Sequence, residues 1–298
     1  MNTNTLQELH TLRDFLRYAV SRFNAAKLSF GHGSDNAWDE AAYLLLHVLN
    51  LPLDTLEPFL DARLVSDEKK RCLDLIERRL AERIPAAYLT GEAWLQGHRF
   101  FVDPRVIVPR SPISELLVDA LDPWVADPDN VDYVLDLCTG SGCLAILAAL
   151  AFPNAQVDAV DLSDHALEVA DINIEQFGLD GRVATHRSDL FDQLPDCRYQ
   201  LIICNPPYVN DGSMEALPPE YRHEPTMALA GGNDGMDLVR RLLRDAPRFL
   251  SDSGILVLEI GNEFENFVSA FPELEPIWLS TAQSNDQILM LTREQLVS

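Results

Sequence analysis

The alternation of strand-like and helix-like segments after Ser111 constrains the fold of this 298-residue chain more than any other feature of its sequence. Short apolar runs, typical of buried strands, alternate there with longer runs whose apolar residues recur at helical spacing. The predicted strands are residues 133–137, 156–160, 183–187, 201–204, 255–260, 278–279 and 288–292, and the predicted helices are residues 144–151, 165–177, 236–249 and 263–271. This alternation predicts an α/β fold with a mostly parallel sheet and helices on both faces.

The part of the chain before this alternation reads differently. Residues 1–92 carry only helical patterns and no cluster that looks catalytic, so they predict a small helical domain for recognition or cover. Between residues 93 and 112, two β-type runs, 100–102 and 105–108, flank Asp103 and Pro104. They predict a β-hairpin that links the helical domain to a larger domain over residues 113–298.

The net charge of −24 disfavours one class of partner. Residues 1–95 contain 14 acidic and 11 basic side chains and carry −3, so the remaining 203 residues carry −21. Binding a nucleic-acid backbone over a wide footprint requires Lys and Arg to neutralise phosphates, and the chain is not expected to bind nucleic acid sequence-specifically. The acidity indicates either a cationic partner or a surface that keeps the protein dissolved and monomeric.

The cysteines and the N-terminal residues predict a compartment. Five cysteines form no CxxC pair, which is typical of reduced thiols rather than of disulfides or a zinc site, and no metal is expected. The first thirty residues include four basic side chains and no apolar run that could serve as a signal peptide or membrane span. We therefore expect a cytoplasmic protein that does not enter membranes, and the oligomeric state stays open.

A turn with two glycines follows the first strand of the α/β segment and leads into an apolar helix. Such a turn lets the backbone approach a ligand at the carboxyl edge of the sheet, where acids also follow the next two strands. Simpler explanations are a tight turn, since GxGxxG is not matched, and for Asp161 a helix N-terminus capped by Ser163. Together these residues predict a nucleoside pocket formed by Asp136, Cys138, Thr139, Gly140, Ser141, Gly142, Asp161, Asp189 and Leu190.

The fourth strand ends in Asn205, Pro206, Pro207 and Tyr208. Paired prolines at a strand end make, at the least, a rigid turn. An amide nitrogen attacks a methyl sulfonium poorly because its lone pair is delocalised. If the Asn205 side-chain oxygen and the Pro206 carbonyl accepted both N–H hydrogens, the lone pair would be exposed, and Tyr208 could stack on the flat amide. All four residues are predicted to bind the substrate, Asn205, Pro206 and Tyr208 are the predicted catalytic residues, and Asn205 is also expected to contact the cofactor.

These motifs resemble those of a known family. Residues 136–142, Asp161, Asp189 and residues 205–208 are similar to the motifs of the class I methyltransferases, and the whole chain resembles the protein-(glutamine-N5) methyltransferases. The resemblance extends to residues 109–115, Glu224 with Pro225, residues 228–229, 231–235 and 259–261. Residues 109–113, and Cys138 where release-factor methylating members carry glycine, resemble the branch that modifies large-subunit ribosomal protein three.

The resemblance implies a Rossmann-like sheet of seven strands and a specific reaction. A methyl group would pass from S-adenosylmethionine to the side-chain amide nitrogen of a glutamine in large-subunit ribosomal protein three, leaving S-adenosylhomocysteine. A second candidate substrate is the Gly-Gly-Gln glutamine of peptide chain release factors. Adenine-N6 methylation of nucleic acid would use the same turn at residues 205–208 but needs a basic groove, and a non-catalytic cofactor-binding scaffold would not need that turn.

The segment between Tyr208 and Asp234 is long and carries several acids. Long ordered loops in compact domains are usually functional. We expect this loop to cover the glutamine and to offer carboxylates to a basic protein, unless it is simply a solvated acidic loop. The carboxylates concerned belong to Asp211, Glu215, Glu220 and Glu224.

Overall fold

The computed structural model describes residues 3–282 and 285–297. The chain divides into two compact units, one formed by Met1–Ala93 with Pro218–His223 and the other by Trp94–Leu217 with Glu224–Ser298. A short segment from the later part of the chain thus belongs to the N-terminal unit. Among the described residues, no helix is long and apolar enough to cross a membrane.

The N-terminal unit consists of short helices around an apolar core. Its helices are α1 Thr3–Glu8, α2 Leu12–Ala25, α3 Ala37–Val48, α4 Ser66–Glu82 and α5 Ala86–Thr90, with 3-10 turns at Glu57–Phe59 and Pro219–His223. Helix α2 begins after Thr11, whose hydroxyl accepts from the Asp14 N–H while the Asp14 carboxylate accepts from the Thr11 N–H. The Asn36 side chain caps α3 by accepting from the N–H groups of Trp38 and Asp39.

The hairpin lies earlier in the chain than the sequence predicted. Its strands are β1 Glu92–Leu95 and β2 His98–Phe101, so the predicted strand 100–102 overlaps β2, whereas the predicted strand 105–108 is wrong. A two-residue hairpin turn of type I′ needs positive φ at both central residues, which Gln96 at +50° and Gly97 at +76° provide. Asp103 and Pro104 do not connect two strands, because the Asp103 carboxylate accepts from the Arg105 N–H and closes a local turn.

One seven-stranded sheet forms the centre of the second unit. Its strands are β3 Tyr133–Leu137, β4 Gln156–Asp161, β5 Val183–Arg187, β6 Tyr199–Cys204, β7 Leu250–Glu259, β8 Ile277–Leu279 and β9 Ile288–Thr292. The order across the sheet is β5-β4-β3-β6-β7-β9-β8, with the first five strands parallel and β9 antiparallel to both of its neighbours. The predicted mostly parallel α/β sheet of seven strands is confirmed.

The helices of this unit differ from the prediction in number, and one of the predicted helices ends several residues earlier than expected. They are α6 Ile113–Val118, α7 Cys143–Ala151, α8 Asp164–Phe177, α9 Asp211–Ala216, α10 Asp237–Asp245, α11 Phe264–Ala270 and α12 Arg293–Val297. Helices α6, α9 and α12 were not predicted because each is too short to show a helical period. The predicted helix over residues 236–249 ends at Asp245, and a 3-10 turn follows because Pro247 has no N–H to donate.

Both faces of the sheet are buried. Val134 of β3 and Ile203 of β6 enter one apolar cluster, and their neighbours Leu135 and Ile202 enter a second cluster on the opposite face. Helix α7 contributes almost all of its residues to the first cluster, and α10 packs into the second. With both faces covered, the carboxyl-terminal edge of the strands is the part of the sheet that can meet a ligand.

Candidate active site

The register of the parallel strands brings the predicted site residues to one edge. Leu137 of β3 lies opposite both Val160 of β4 and Cys204 of β6, and Val160 lies opposite His186 of β5. The turns that follow these four strands therefore start side by side. Strand order reverses between β3 and β6, and open α/β sheets bind their ligands at such a reversal.

The turn after β3 has left-handed backbone at three residues. The φ angle is +59° at Cys138, +55° at Gly140 and +78° at Gly142. At Gly142 a Cβ would lie 3.1 Å from the Cβ of Ala170 on α8, so this position also lacks room for a side chain. Cys138 adopts the left-handed conformation without being glycine, which costs energy and is typical of functional turns.

The buried carboxylate of Asp136 holds this turn by hydrogen bonds. Its Oδ2 accepts hydrogen bonds from the Thr139 hydroxyl at 2.6 Å and from the Ala145 N–H at 3.0 Å. Its Oδ1 has no partner among residues 3–282 and 285–297. Burial raises the pKa of the Asp136 carboxyl to about 7. A further hydrogen bond holds the same turn, because the Ser141 carbonyl accepts from the Asn173 side-chain amide at 2.8 Å.

The pH dependence of stability should reveal the buried Asp136 carboxyl. Folding raises the pKa of this carboxyl from 3.8 to about 7. Its contribution to the free energy of unfolding is therefore fully present below pH 3.8 and is lost as the pH rises through about 7. The loss is at most about 1.4 kcal/mol per pH unit. Asp136→Asn keeps an acceptor oxygen and does not titrate. In urea unfolding at about pH 5 and about pH 8, the wild type should lose stability relative to this variant; parallel pH profiles would contradict a neutral carboxyl.

Asp161, at the end of β4, ties two turns together. Its Oδ2 accepts from the Gly140 N–H at 3.0 Å, and its Oδ1 accepts from the Ser163 N–H at 2.9 Å. Burial raises the pKa of this carboxyl. The cap of α8 is Ser163, whose hydroxyl accepts from the Ala166 N–H. Asp161 therefore acts on the glycine turn, while Ser163 supplies the helix cap.

Asp189, after β5, faces a partner that the sequence did not reveal. Arg241 of α10 donates to its Oδ2 at 3.0 Å, and the neighbouring Leu190 has a left-handed φ of +52°. Arg241 is far from Asp189 in the chain, and α10 also carries Arg240 and Arg244, so nothing local marks Arg241 as the partner. The ion pair fixes the carboxylate at the edge of the sheet, where both side chains are 38% exposed.

These turns enclose a cavity of about 610 Å³. The predicted site residues that border it are Cys138, Gly140, Asp161, Asp189, Leu190, Asn205 and Pro207. Among the described residues, the other predicted site residues do not line the cavity. Three of them are buried, Asp136, Thr139 and Ser141, and the rest are Gly142, Pro206 and Tyr208. Sequence reasoning missed the remaining wall, which includes residues 104–107, Leu162, Met227 and Arg241. Nothing local marks those residues as part of a cavity.

The turn at residues 205–208 continues directly from β6. Asn205 borders the cavity, so an amide brought to this end of the strand would lie beside whatever occupies it. Tyr208 is held by its hydroxyl, which donates to Glu259 Oε1 at 2.8 Å. The turn thus places the predicted amide acceptor close in the chain to the predicted stacking ring, and the ring is anchored to the end of β7.

The acidic loop after Tyr208 is only partly what the sequence predicted. Asp211 and Glu215 are exposed. Glu220 and Glu224 are buried, so the expectation that they offer carboxylates to a partner is wrong. Glu224 forms a two-point ion pair with Arg110, at 2.6 and 2.9 Å. Buried carboxylates require a partner of opposite charge, and that requirement is met inside the fold.

Comparison with known proteins identifies the family. A family model described as the methyltransferase small domain matches residues 112–217, and one described as the PrmC N-terminal domain matches residues 14–91. The ribosomal protein uL3 glutamine methyltransferase of Bordetella pertussis is 67% identical over 296 residues, 99% of either chain. The protein of the same name from Burkholderia pseudomallei is 62% identical over 96% of this chain and 95% of its own. The chain belongs to the uL3 glutamine methyltransferase family.

Membership in this family confirms two of the predictions. The chain is an enzyme of the methyltransferase class, and the resemblance to the protein-(glutamine-N5) methyltransferases, in the branch that modifies large-subunit ribosomal protein three, is borne out. Among solved structures, the hMettl16 catalytic domain in complex with the MAT2A 3'UTR hairpin 6 aligns with a TM-score of 0.51. It is 15% identical over 76% of this chain and 80% of that chain, so the likeness shows only the class I methyltransferase fold. Within the described residues, no group of His, Cys, Asp and Glu could hold a metal ion.

Proposed function

We propose that this methyltransferase binds S-adenosylmethionine in the cavity at the strand ends and methylates the side-chain nitrogen of a glutamine in ribosomal protein uL3. The observation that carries the proposal is the convergence of the Gly140 turn, Asp161, Asp189 and Asn205 on that one cavity. These groups lie where the strand order reverses, and they are a glycine turn, two carboxylates and an amide acceptor. Such a set suits a charged nucleoside better than an apolar ligand.

The wall of the cavity fits the nucleoside part of the cofactor. Asp161 would accept from ribose hydroxyls, and Asp189 would accept from the adenine amino group. Leu162 and Leu190 offer apolar surface to the flat base, and Leu162 is 48% exposed despite its size. Exposed apolar area inside a cavity is expected where a ligand covers it. The bound sulfonium supplies an electrophilic methyl group and a good leaving group.

The amide clamp would act on the glutamine. Asn205 and the Pro206 carbonyl accept the two N–H hydrogens of the side-chain amide, which draws its nitrogen toward a tetrahedral shape and exposes the lone pair. Tyr208 packs on the amide plane, and Pro207 stiffens the turn between them. The nitrogen becomes acidic only after it has gained the methyl group, so water can take the proton and no strong base is needed.

The choice of uL3 rests on the family and on charge. Relatives that are 54–67% identical over nearly the whole chain are named as uL3 glutamine methyltransferases. A net charge of −24 suits a basic ribosomal protein, and Asp211 and Glu215 are exposed just after the clamp. In this proposal residues 1–92 recognise the substrate, residues 93–112 link the domains, and residues 113–298 carry out methyl transfer in the cytoplasm.

Methylation of purified uL3 with isotope-labelled S-adenosylmethionine, followed by mass spectrometry of its peptides, tests the proposal. One glutamine should gain one methyl group on its side-chain nitrogen. A peptide chain release factor and a nucleic-acid duplex serve as competing substrates in the same assay. Preferential labelling of the Gly-Gly-Gln glutamine would overturn the substrate, and labelling of nucleic acid would overturn the reaction.

Replacing Asp161 tests the cofactor site. Asp161→Ala should weaken S-adenosylmethionine binding by about 1.5–3 kcal/mol, the range for hydrogen bonds to a charged group. Part of this loss comes from the Gly140 N–H, which the carboxylate now holds in place. Asp164→Ala is the matched control, because Asp164 lies nearby in the chain but is 65% exposed and forms an ion pair with the equally exposed Arg187. Calorimetry that finds unchanged affinity for Asp161→Ala would remove this residue from the site.

A further inference from the structure

Several residues outside the amide clamp converge on its tyrosine. Residues 109–115, 231–235 and 259–261 stood out in the sequence without a role of their own. In the structure each of these three segments places a residue against Tyr208 or against the group that holds it. Segments so far apart in the chain need a common reason to meet at one side chain.

The hydroxyl of Tyr208 belongs to a series of hydrogen bonds with buried polar groups. It donates to Glu259 Oε1 at 2.8 Å, and the Ser111 hydroxyl donates to Glu259 Oε2 at 2.5 Å. The Ile113 N–H in turn donates to the Ser111 hydroxyl at 3.3 Å. Glu259 and Ser111 are 4% and 3% exposed, so both carboxylate oxygens are satisfied within the protein. This series of hydrogen bonds fixes the position of the Tyr208 hydroxyl.

The ring and backbone of Tyr208 rest against glycines. A Cβ at Gly261 would lie 2.3 Å from Cε2 of the ring, and Gly261 has a φ of +53°. A Cβ at Gly231 would lie 2.7 Å from the Tyr208 Cα, and one at Gly235 would lie 2.2 Å from its carbonyl oxygen. No other residue type fits these positions without displacing the tyrosine. Gly261 therefore makes room for the ring, and Gly231 and Gly235 make room for the Tyr208 backbone.

We infer that Glu259 is a positioning residue for methyl transfer, which together with Ser111 and Gly261 fixes the plane of the Tyr208 ring against the substrate amide. The inference rests on the proposed function and extends it to a residue that lies outside the clamp. A ring held both by close packing against Gly261 and by its hydroxyl stays in one orientation between turnovers, so the amide is oriented on arrival. The Glu259 carboxylate reaches the reaction only through the tyrosine.

A double-mutant cycle tests this coupling. Tyr208→Phe and Glu259→Met should each lower kcat about tenfold, since each leaves a buried polar group without its partner, while the KM for S-adenosylmethionine stays nearly constant. The double variant should also lose about tenfold rather than about a hundredfold, because an apolar pair replaces both partners at once. Losses that multiply would overturn the inference. The separate variant Glu259→Gln, whose side chain can accept from Tyr208 and donate to Ser111, should keep kcat within about threefold of wild type.

Tyr199→Phe is the matched control. The Tyr199 hydroxyl donates to Asp158 Oδ2 at 2.7 Å, so this change removes a similar tyrosine–carboxylate bond elsewhere in the same sheet. It should lower the melting temperature without lowering kcat. If Tyr199→Phe and Tyr208→Phe lower kcat equally, the effect is general destabilisation and the inference fails.

A measurement without substrate separates this inference from the proposed function. With ¹³C-labelled tyrosine, the Tyr208 ring can be identified among seven tyrosines by its loss in Tyr208→Phe. Its ¹³C relaxation should show a rigidly held ring in the wild type and in Glu259→Gln, and ring motion of clearly larger amplitude in Glu259→Met. Unchanged ring motion in Glu259→Met would overturn the inference even if uL3 is methylated. A wild-type enzyme that does not methylate uL3 but shows this pattern would overturn only the substrate.

Discussion

Asn205→Ala should lower kcat by about 100-fold or more while the affinity for S-adenosylmethionine changes much less. Loss of one preorganised polar partner in the transition state typically has an effect of this size on kcat. Asn205 lies at the end of β6, beside the cavity, and its side-chain oxygen is the acceptor that the proposed clamp needs. Single-turnover methylation of purified uL3, measured beside calorimetric cofactor binding, gives both quantities.

Asn210→Ala is the control for this variant. Asn210 lies in the same loop, where it caps α9 and donates to Glu263 at 2.7 Å, and it has no proposed part in the reaction. We expect it to lower the melting temperature with little change in kcat. A well-folded Asn205→Ala enzyme with near-normal single-turnover chemistry would defeat the clamp. Parallel losses of stability, kcat and KM would instead assign Asn205 to the shape of the turn.

Arg79→Met should destabilise the N-terminal unit by about 3–5 kcal/mol, the usual cost of leaving a buried charge without its partner. The Arg79 side chain is fully buried and donates to Glu40 Oε1 at 2.7 Å and to the Ser29 carbonyl at 3.0 Å. It also lies 3.5 Å from Glu220 Oε1, in the segment that joins this unit from later in the chain. Methionine fills similar volume but removes the arginine that pairs with the buried Glu40, whereas Glu220 keeps its ion pair with Arg83 at 2.8 Å.

Urea unfolding monitored by circular dichroism measures this loss. Arg79→Lys should fall between the wild type and Arg79→Met, because it keeps the charge without the planar set of donors. Arg13→Met, which removes an ion pair whose side chains are 55% and 84% exposed, should change little. A loss for Arg79→Met no larger than that for Arg13→Met would show that the buried pair contributes nothing to stability.

The sequence was sufficient for most of the second unit. Strands β3, β5 and β9 begin and end where the sequence predicted them. For β3 and β9 the signal is a short apolar run between turn residues, because both strands are buried. The same local signals placed the acids and the asparagine at strand ends, and parallel pairing then brought them to one edge. The hairpin was misplaced because Asp103 and Pro104 are turn residues too, whereas the hairpin turn forms at Gln96 and Gly97, where φ is positive.

What the sequence by itself determined was the order of elements and the edge at which the site forms, since periodicity, glycine and proline act over a few neighbouring residues. Only the tertiary structure decided the partners of the buried charges. Ser111 meets Glu259 across 148 positions, and Arg110 meets Glu224 across 114. An isolated acid in a sequence is equally consistent with a solvated surface and a buried pair, and burial, which depends on the whole chain, settles which one it is.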